Sequence, residues 1–225
     1  MKKILILLLA ITLVLSENLS AQKDVTKFLG IPVDGLKSEM IQKLKSKGYI
    51  INPQSKDILS GEFNGTDVNI VFVTNNNKVW RIGLADVNTT DEVNIKIRFN
   101  NLVRQFQNNM NYLPEQDSTI VKYIIPENED ISYEMLVHKK RYEAIFYQKT
   151  AKYDSLVAEK ELLESKENLT EDERKRLLDL TIMIFQETLK SFDKTVWFMI
   201  SESYGNYYIS MFYENIQNKA NGDGL

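Results

Sequence analysis

Three runs of apolar and β-branched residues between positions 57 and 86 constrain the fold of this chain most strongly: DILSGEF, VNIVFVT and KVWRIGLAD. The dipeptide Asn64-Gly65 separates the first two runs, and Asn75-Asn76-Asn77 separates the last two. Because Asn-Gly readily adopts the positive φ angles of a tight hairpin turn, this pattern predicts a three-stranded antiparallel meander. The fold must therefore contain an antiparallel sheet.

Helix signals precede and follow the meander. Asp34 or Ser38 can cap a helix that ends at Gly48, where a left-handed C-terminal cap is favoured. After the meander, the segment TTDEVNIKIRFNNLVRQFQNNM has apolar residues at both strand and helix spacing. Thr89 and Glu92 have the spacing of a capping box, which favours the helix.

The second half of the chain alternates between strand and helix signals. The polar connection after residue 110 predicts a short strand from Thr119 to Ile125. The run from Ala151 to Phe192 is rich in Glu, Lys and Leu, with a second capping box at Thr170 and Glu173, and predicts a helical hairpin. Two further strand pairs are predicted, ISYEMLV with RYEAIFYQ around His138, and TVWFMIS with NYYISMFYE around Tyr204-Gly205.

These elements predict an α+β fold, a curved antiparallel sheet with helices packed on one face and an inserted helical hairpin at 151–192. Leu44 and Phe106 are expected to be buried against the sheet. We expect one α+β domain over residues 22–215, followed by a flexible tail at 216–225.

The first 21 residues have the features of a signal peptide. Lys2 and Lys3 form a short basic start, an apolar run extends from Ile4 to Leu15, and Ala21 is a small residue at the expected cleavage point. The apolar run is shorter than the roughly 20 residues that cross a bilayer. The sequence therefore predicts a periplasmic or secreted protein with no stable membrane insertion after cleavage.

The composition excludes several classes of structure and partner. There is no cysteine, which rules out a disulfide framework and the cysteine needed for a lipid anchor. The formal net charge is −3, with acidic and basic residues interspersed, so there is no electrostatic reason to bind nucleic acid. The pattern indicates no cofactor and leaves the oligomeric state open.

One resemblance can be stated from particular motifs. The run FLGIPVDG, followed by EMIQKLKSKGY, LSGEFNG and TNNNKVWRI, resembles a family of uncharacterised secreted proteins from Gram-negative gut bacteria, over residues 26–148. The order of helix and meander is similar to the repeat of the β-lactamase-inhibitor-protein fold, and implies helices on one face of a curved antiparallel sheet. This chain lacks the lipobox cysteine of the outer-membrane assembly lipoproteins that share the module, and the insertion at 151–192 is not part of it. The resemblance carries over no functional residue.

Residues for catalysis are sparse. His138 is the only histidine and lies at a predicted turn beside two lysines, which is typical of a solvated residue. Zinc sites need several His or Cys ligands at short spacing, so the sequence predicts none. Two acidic groups remain as candidates, a pair for hydrolysis at Glu62 and Asp67, and a loop for weak calcium binding, formed by Glu127, Glu129 and Asp130.

The final strand pair is rich in aromatic residues. Successive strand residues face opposite sides of a sheet, so Trp197 and Phe198 must point in opposite directions. One interpretation is that both faces are covered by helices. The alternative is an exposed aromatic face with Trp197 at its centre and Tyr207, Trp80 and Arg81 beside it, since Trp, Tyr and Arg are enriched at binding hot spots.

Three functional hypotheses follow from these observations. The first is an exported, non-catalytic binding or interaction module of the cell envelope that uses the aromatic sheet face to bind a protein or another envelope component. The second is a carrier of an apolar ligand, which needs a cavity of at least about 300 Å³. The third is a carboxylate-dependent hydrolase. Asp-Ser-Thr at 117–119 also resembles a short O-glycosylation signal, and predicts modification of Ser118 in preference to Ser155.

Overall fold

A seven-stranded antiparallel sheet forms the centre of the computed structural model, which describes residues 24–114 and 117–220, with residues 117 and 118 described by their backbone alone. The strands are β1 (Lys27–Phe28), β2 (Ile31–Pro32), β3 (Ile50–Asn52), β4 (Ser55–Phe63), β5 (Thr66–Asn75), β6 (Lys78–Asp86), β7 (Glu143–Tyr147), β8 (Thr195–Ser203) and β9 (Asn206–Glu214). The helices are α1 (Lys37–Lys45), α2 (Glu92–Gln107), α3 (Asp117–Tyr123), α4 (Ile131–Val137), α5 (Tyr153–Glu164) and α6 (Glu171–Ser191). The spatial order in the sheet is β3-β4-β5-β6-β9-β8-β7, and β1 pairs with β2 in a separate ribbon.

The predicted meander is confirmed as β4, β5 and β6, and the final hairpin as β8 and β9. Asn64 and Gly65 have φ angles of 52° and 73°, and Tyr204 and Gly205 have 52° and 76°. Positive φ at both central residues matches the right-handed twist of a hairpin. Strand β9 then pairs with β6, so the meander and the final hairpin meet in the middle of the sheet.

Helices cover one face of the sheet, as predicted. Along β8, Val196, Phe198 and Ile200 are buried, and the ring of Phe198 lies 5.1 Å from the ring of Phe99 in α2. Leu44 in α1 is fully buried and Phe106 in α2 is nearly so, which confirms that both helices pack on the core. The α+β fold class is therefore correct.

Two predicted strands are wrong, because both segments form helices. Helix α3 replaces the strand at 119–125, and the backbone N–H and carbonyl of Ile125 bond to the side chain of Asn100 instead of to a neighbouring strand. Helix α4 replaces the strand ISYEMLV. Its N-cap Asp130 accepts a hydrogen bond from the Tyr133 N–H at 2.8 Å, and Ile131 is fully buried. Capping and burial outweigh the strand propensity of the β-branched residues.

One of the two predicted capping boxes is confirmed. Thr170 and Glu173 exchange hydrogen bonds at the start of α6. At the start of α2 the cap is Asp91, whose side chain accepts from the Asn94 N–H at 2.9 Å, so the predicted Thr89–Glu92 box is wrong. The Glu92 carboxylate instead accepts from the Ile131 N–H, joining α2 to α4.

The helical hairpin predicted at 151–192 is confirmed as α5 and α6, inserted between β7 and β8. The predicted tail begins instead with a 3-10 turn, Ile216–Asn218, because Asn218 donates hydrogen bonds to the Asp34 carboxylate and the Val79 carbonyl. The predicted signal peptide at 1–21 lies outside the described residues.

The predicted modification site lies on a helix. The backbone of Ser118 belongs to the first turn of α3 and not to a polar loop, and its side chain lies outside the described part of the chain. Within residues 24–114 and 117–220, no helix combines the length and the apolar character needed to cross a bilayer.

The start of α6 should be sensitive to acid. Hydrogen bonds from Lys166 and from Thr170 lower the pKa of Glu173 from its ordinary 4.5 to about 2. A carboxyl whose folded pKa is lowered stabilises the folded state above its unfolded pKa and loses that effect as the pH falls through the folded value. We expect the α6 cap to weaken between pH 4.5 and about 2, measured by NMR titration of the Glu173 carboxyl. In Thr170→Ala the titration should move toward 4.5; an unchanged midpoint would contradict the capping role.

Candidate binding surface

The face of the sheet opposite the helices carries a row of aromatic residues. Trp197 on β8 lies directly opposite Phe212 on β9, and Phe212 lies opposite Gly83 on β6. Trp197 and Phe212 are half-buried, whereas Phe198, the neighbour of Trp197, is fully buried on the helix side. The alternation predicted for Trp197 and Phe198 is therefore confirmed.

The two rings form a stacked pair. The centroids of Trp197 and Phe212 are 4.2 Å apart, with 27° between their planes. Gly83 leaves room for the Phe212 ring, since a Cβ at that position would lie 3.1 Å from Cγ2 of Val71 and 3.4 Å from the Phe212 ring. The glycine thus lets the Phe212 ring lie close to the surface of the sheet.

Arg81 joins these rings to the second tryptophan of the chain. Its guanidinium carbon lies 4.4 Å from the centroid of Trp80, 5.2 Å from Phe212 and 5.9 Å from Trp197. These distances are typical of cation–π contacts. The Lys219 ammonium lies 5.6 Å from the Trp80 ring, which adds a second cation to it.

A buried carboxylate fixes the position of Arg81 and Trp197. Glu214, at the end of β9, is only 6% exposed. Its Oε1 atom lies 2.5 Å from Nη2 of Arg81 and accepts a hydrogen bond of 2.8 Å from Nε1 of Trp197. Because solvent is largely excluded there, both interactions are stronger than they would be at an exposed site. One carboxylate therefore orients the cation and the indole together.

We call the group Trp80, Arg81, Trp197 and Phe212 the aromatic platform. Next to it on β5, Val71 and Val73 are 42% and 39% exposed, and their register places them beside Gly83 and Arg81. The platform, together with Val71 and Val73, forms a mixed aromatic and aliphatic surface that is accessible to a partner.

Three of the four predicted binding residues lie on the platform, but the fourth, Tyr207, lies on the opposite face of the sheet. It is 5% exposed and faces the helices with Ile209, so it is not a neighbour of Trp197. Its hydroxyl lies 2.6 Å from that of Ser132, and its backbone pairs with Thr90. The hairpin register explains the error, because Tyr207 pairs with Glu202 and belongs to the opposite row from Phe212.

Sequence reasoning missed Phe212 and Glu214 as members of this surface. The two-residue turn at Tyr204-Gly205 implies the pairing of Trp197 with Phe212, so the register of the hairpin could have identified Phe212. An acidic residue ending the apolar strand NYYISMFYE was the available signal for Glu214.

The acidic groups proposed for hydrolysis and calcium binding have other partners or are solvated. Glu62 and Asp67 are exposed and pair across the β4–β5 turn. In the loop before α4, Lys96 donates to the carbonyls of Glu127 and Glu129, so an ammonium occupies the centre of the loop. In the part of the chain that the structure describes, no three or more His, Cys, Asp or Glu residues form a group that could hold a metal ion.

A cleft of about 760 Å³ opens on the helix side, beyond the end of α2. Burial raises the pKa of the Tyr213 phenol well above its ordinary value and also raises that of Tyr112, so both hydroxyls stay neutral. These two phenols are therefore uncharged, although Lys47 and Glu62 also line the cleft. Its aromatic lining consists of Tyr49, Phe63, Phe106, Tyr112 and Tyr213.

Comparison with protein-family models, with curated proteins and with solved structures finds no match for this chain. The predicted family resemblance stays a prediction.

Proposed function

We propose that this protein is an exported, non-catalytic binding module of the cell envelope that uses the aromatic platform to bind a segment of another protein. The observation that carries this proposal is the stacked Trp197–Phe212 pair beside Arg81, on the sheet face that the helices leave open. Trp and Arg side chains dominate the energetics of protein interfaces, because they supply a large contact area together with a polar group.

Preorganisation supports the same proposal. Each flexible side chain that becomes ordered on binding costs about 0.5–1.5 kcal/mol. In the unbound protein, the rings of Trp197 and Phe212 are already ordered by stacking on each other. Glu214 orders Arg81 through an ion pair and Trp197 through a hydrogen bond. The ion pair with Glu214 also neutralises the charge of Arg81. Apart from the Lys219 ammonium beside Trp80, the surface is therefore suited to an uncharged, aromatic or aliphatic segment.

The proposal can be tested by tryptophan fluorescence, because the only two tryptophans of the chain, Trp80 and Trp197, both lie on the platform. Peptides would be selected from a displayed random library against the wild-type protein. We expect them to change the tryptophan emission on binding. Trp197→Ala should weaken their binding by about 2 kcal/mol, roughly 30-fold, the threshold of a hot spot.

The matched control is Tyr204→Asn in the turn of the same hairpin. Tyr204 is 98% exposed and has a positive φ of 52°, which asparagine tolerates. This variant should bind the selected peptides as the wild type does. If no peptide is selected, or if all selected peptides leave the tryptophan emission unchanged, the platform is not the binding surface.

The cleft favours a second candidate function, carriage of an apolar ligand. Its volume of about 760 Å³ lies within the range of ligand sites, and five aromatic residues line it together with Lys47 and Glu62. Tyr213 and Tyr112 lie on the helix side of the sheet, so a ligand there would not contact the platform. A fluorescent apolar probe that binds to Trp197→Ala as tightly as to the wild type, and loses affinity in Phe63→Asp, would favour the carrier.

A further inference from the structure

Helix α6 carries an apolar stripe whose side chains are about half exposed to solvent. The stripe consists of residues separated by four, three, four and three positions, with exposed fractions between 47% and 61%. This is the spacing of the a and d positions of a heptad, which places the side chains along one side of a helix. The stripe residues are Leu178, Ile182, Phe185 and Leu189 in α6, and Phe192, the C-cap residue, whose ring also lies 4.9 Å from the ring of Tyr147.

The opposite side of α6 already packs within the hairpin. Leu180 is fully buried and Glu187 and Ser191 are buried, and α6 packs along α5 in the hairpin. Ile182 lies two residues beyond Leu180, about 200° around the helix. Helix α6 therefore has one side that is buried within the chain and a second, apolar side that faces solvent. The apolar side of a surface helix normally faces the core.

We infer that the stripe is a dimer interface, on which α6 of a second copy of this chain lies antiparallel. In this orientation an a position packs against a d position, which pairs Leu178 with Leu189 of the second copy and Ile182 with Phe185 of the second copy. Each of these pairs occurs twice about the two-fold axis. The stripe is thus complementary to itself, as an isologous interface requires.

The charges beside the stripe fit the antiparallel orientation. Lys175 occupies the next heptad position before Leu178, and in the antiparallel pair it falls near Asp193 of the second copy, which lies just beyond the end of α6 and offers a carboxylate. In a parallel pair the two Lys175 side chains would instead face each other, with like charges at a buried position.

The residues that flank the middle of the stripe permit close approach. Thr181 and Thr188 donate their hydroxyl hydrogens to the carbonyls of Leu177 and Ile184 in the same helix. Their polar groups are therefore satisfied within α6, and neither carries a charge that would repel a second copy. This interface lies on the helical hairpin and does not involve the aromatic platform.

The first test is sedimentation of the exported protein over a range of concentrations. We expect a dimer for the wild type and a monomer for Phe185→Glu at the same concentration. Leu162→Glu is the matched control, because Leu162 is 66% exposed on the neighbouring helix α5 but lies outside the stripe. It should remain a dimer. A wild type that is monomeric up to about 100 µM, or a Phe185→Glu variant that still dimerises, would overturn the inference.

The second test does not depend on a charged substitution and uses the absence of cysteine from the chain. Leu178→Cys and Leu189→Cys would be made as separate proteins and oxidised alone or mixed. Antiparallel pairing predicts a disulfide dimer in the mixture and none in either protein alone. Cross-linking of each protein with itself would refute the antiparallel orientation, and no cross-link in any sample would refute the interface.

Discussion

Replacement of Phe198 by alanine is expected to lower the free energy of unfolding by about 4 kcal/mol, because the lost ring leaves a cavity in the core. Phe198 is fully buried, and its centroid lies 5.1 Å from Phe99, 5.4 Å from Phe106 and 6.1 Å from Phe146. These four rings join the sheet to α2, so little relaxation can fill the space. Urea unfolding of the variant and the wild type measures the difference.

Met110→Ala serves as the control for this measurement. Met110 is 83% exposed, and a substitution at such a position changes stability by no more than about 0.5 kcal/mol. The assignment of Phe198 to the core and Trp197 to the open face would be wrong if Phe198→Ala unfolded at the same urea concentration as this control.

The second large effect is expected at the carboxylate beneath the aromatic platform. Glu214→Ala should cost about 3 kcal/mol of stability, since it leaves the Arg81 guanidinium without its partner in a poorly solvated position. The Arg81 side chain is 26% exposed, which keeps the expected cost at the lower end of the range for a broken buried pair. The Trp197 indole N–H would also lose its acceptor. Chemical unfolding at neutral pH provides the measurement.

A double variant separates the ion pair from other effects of the substitution. Removing both charges, in Glu214→Leu with Arg81→Met, should cost clearly less than Glu214→Ala alone, because no uncompensated charge remains. If the double variant is as unstable as the sum of its two single variants, the charges do not interact, and the platform is held by packing alone. The tryptophan emission of Glu214→Ala, to which both Trp80 and Trp197 contribute, gives an independent measure of the changed surroundings of the platform.

Local signals predicted most of the secondary structure. The Asn64-Gly65 turn and the Thr170–Glu173 capping box act over two to four residues, and the structure contains both where the sequence predicts them. The errors lie where local signals compete. The segment ISYEMLV has the composition of a strand, but Asp130 caps it as a helix. Glu92 of α2 accepts a hydrogen bond from the N–H of Ile131, the first residue of this helix. The contact between Glu92 and Ile131 joins residues 39 positions apart.

The candidate surface depended far more on tertiary structure. Strand alternation alone placed Trp197 and Phe198 on opposite faces, since that follows from the backbone of any regular strand. Alternation does not determine which face of the sheet the helices cover. The packing of α2 determines that. The pairing of β6 with β9, residues more than 120 positions apart, brought Arg81 to Glu214 and so to Trp197.

The sequence by itself determined the turns and the strand alternation of the meander and of the final hairpin, most helices and the α+β class, because these depend on residues close together in the chain. The sequence also contains the heptad spacing of α6, but this spacing does not show which side of the helix other residues cover. Only the tertiary structure decided that the side of α6 with Leu180 is buried, that Tyr207 faces the helices and that Glu214 contacts Arg81. Each of these outcomes follows from contacts between distant segments, whose register and burial are set when the whole core packs together.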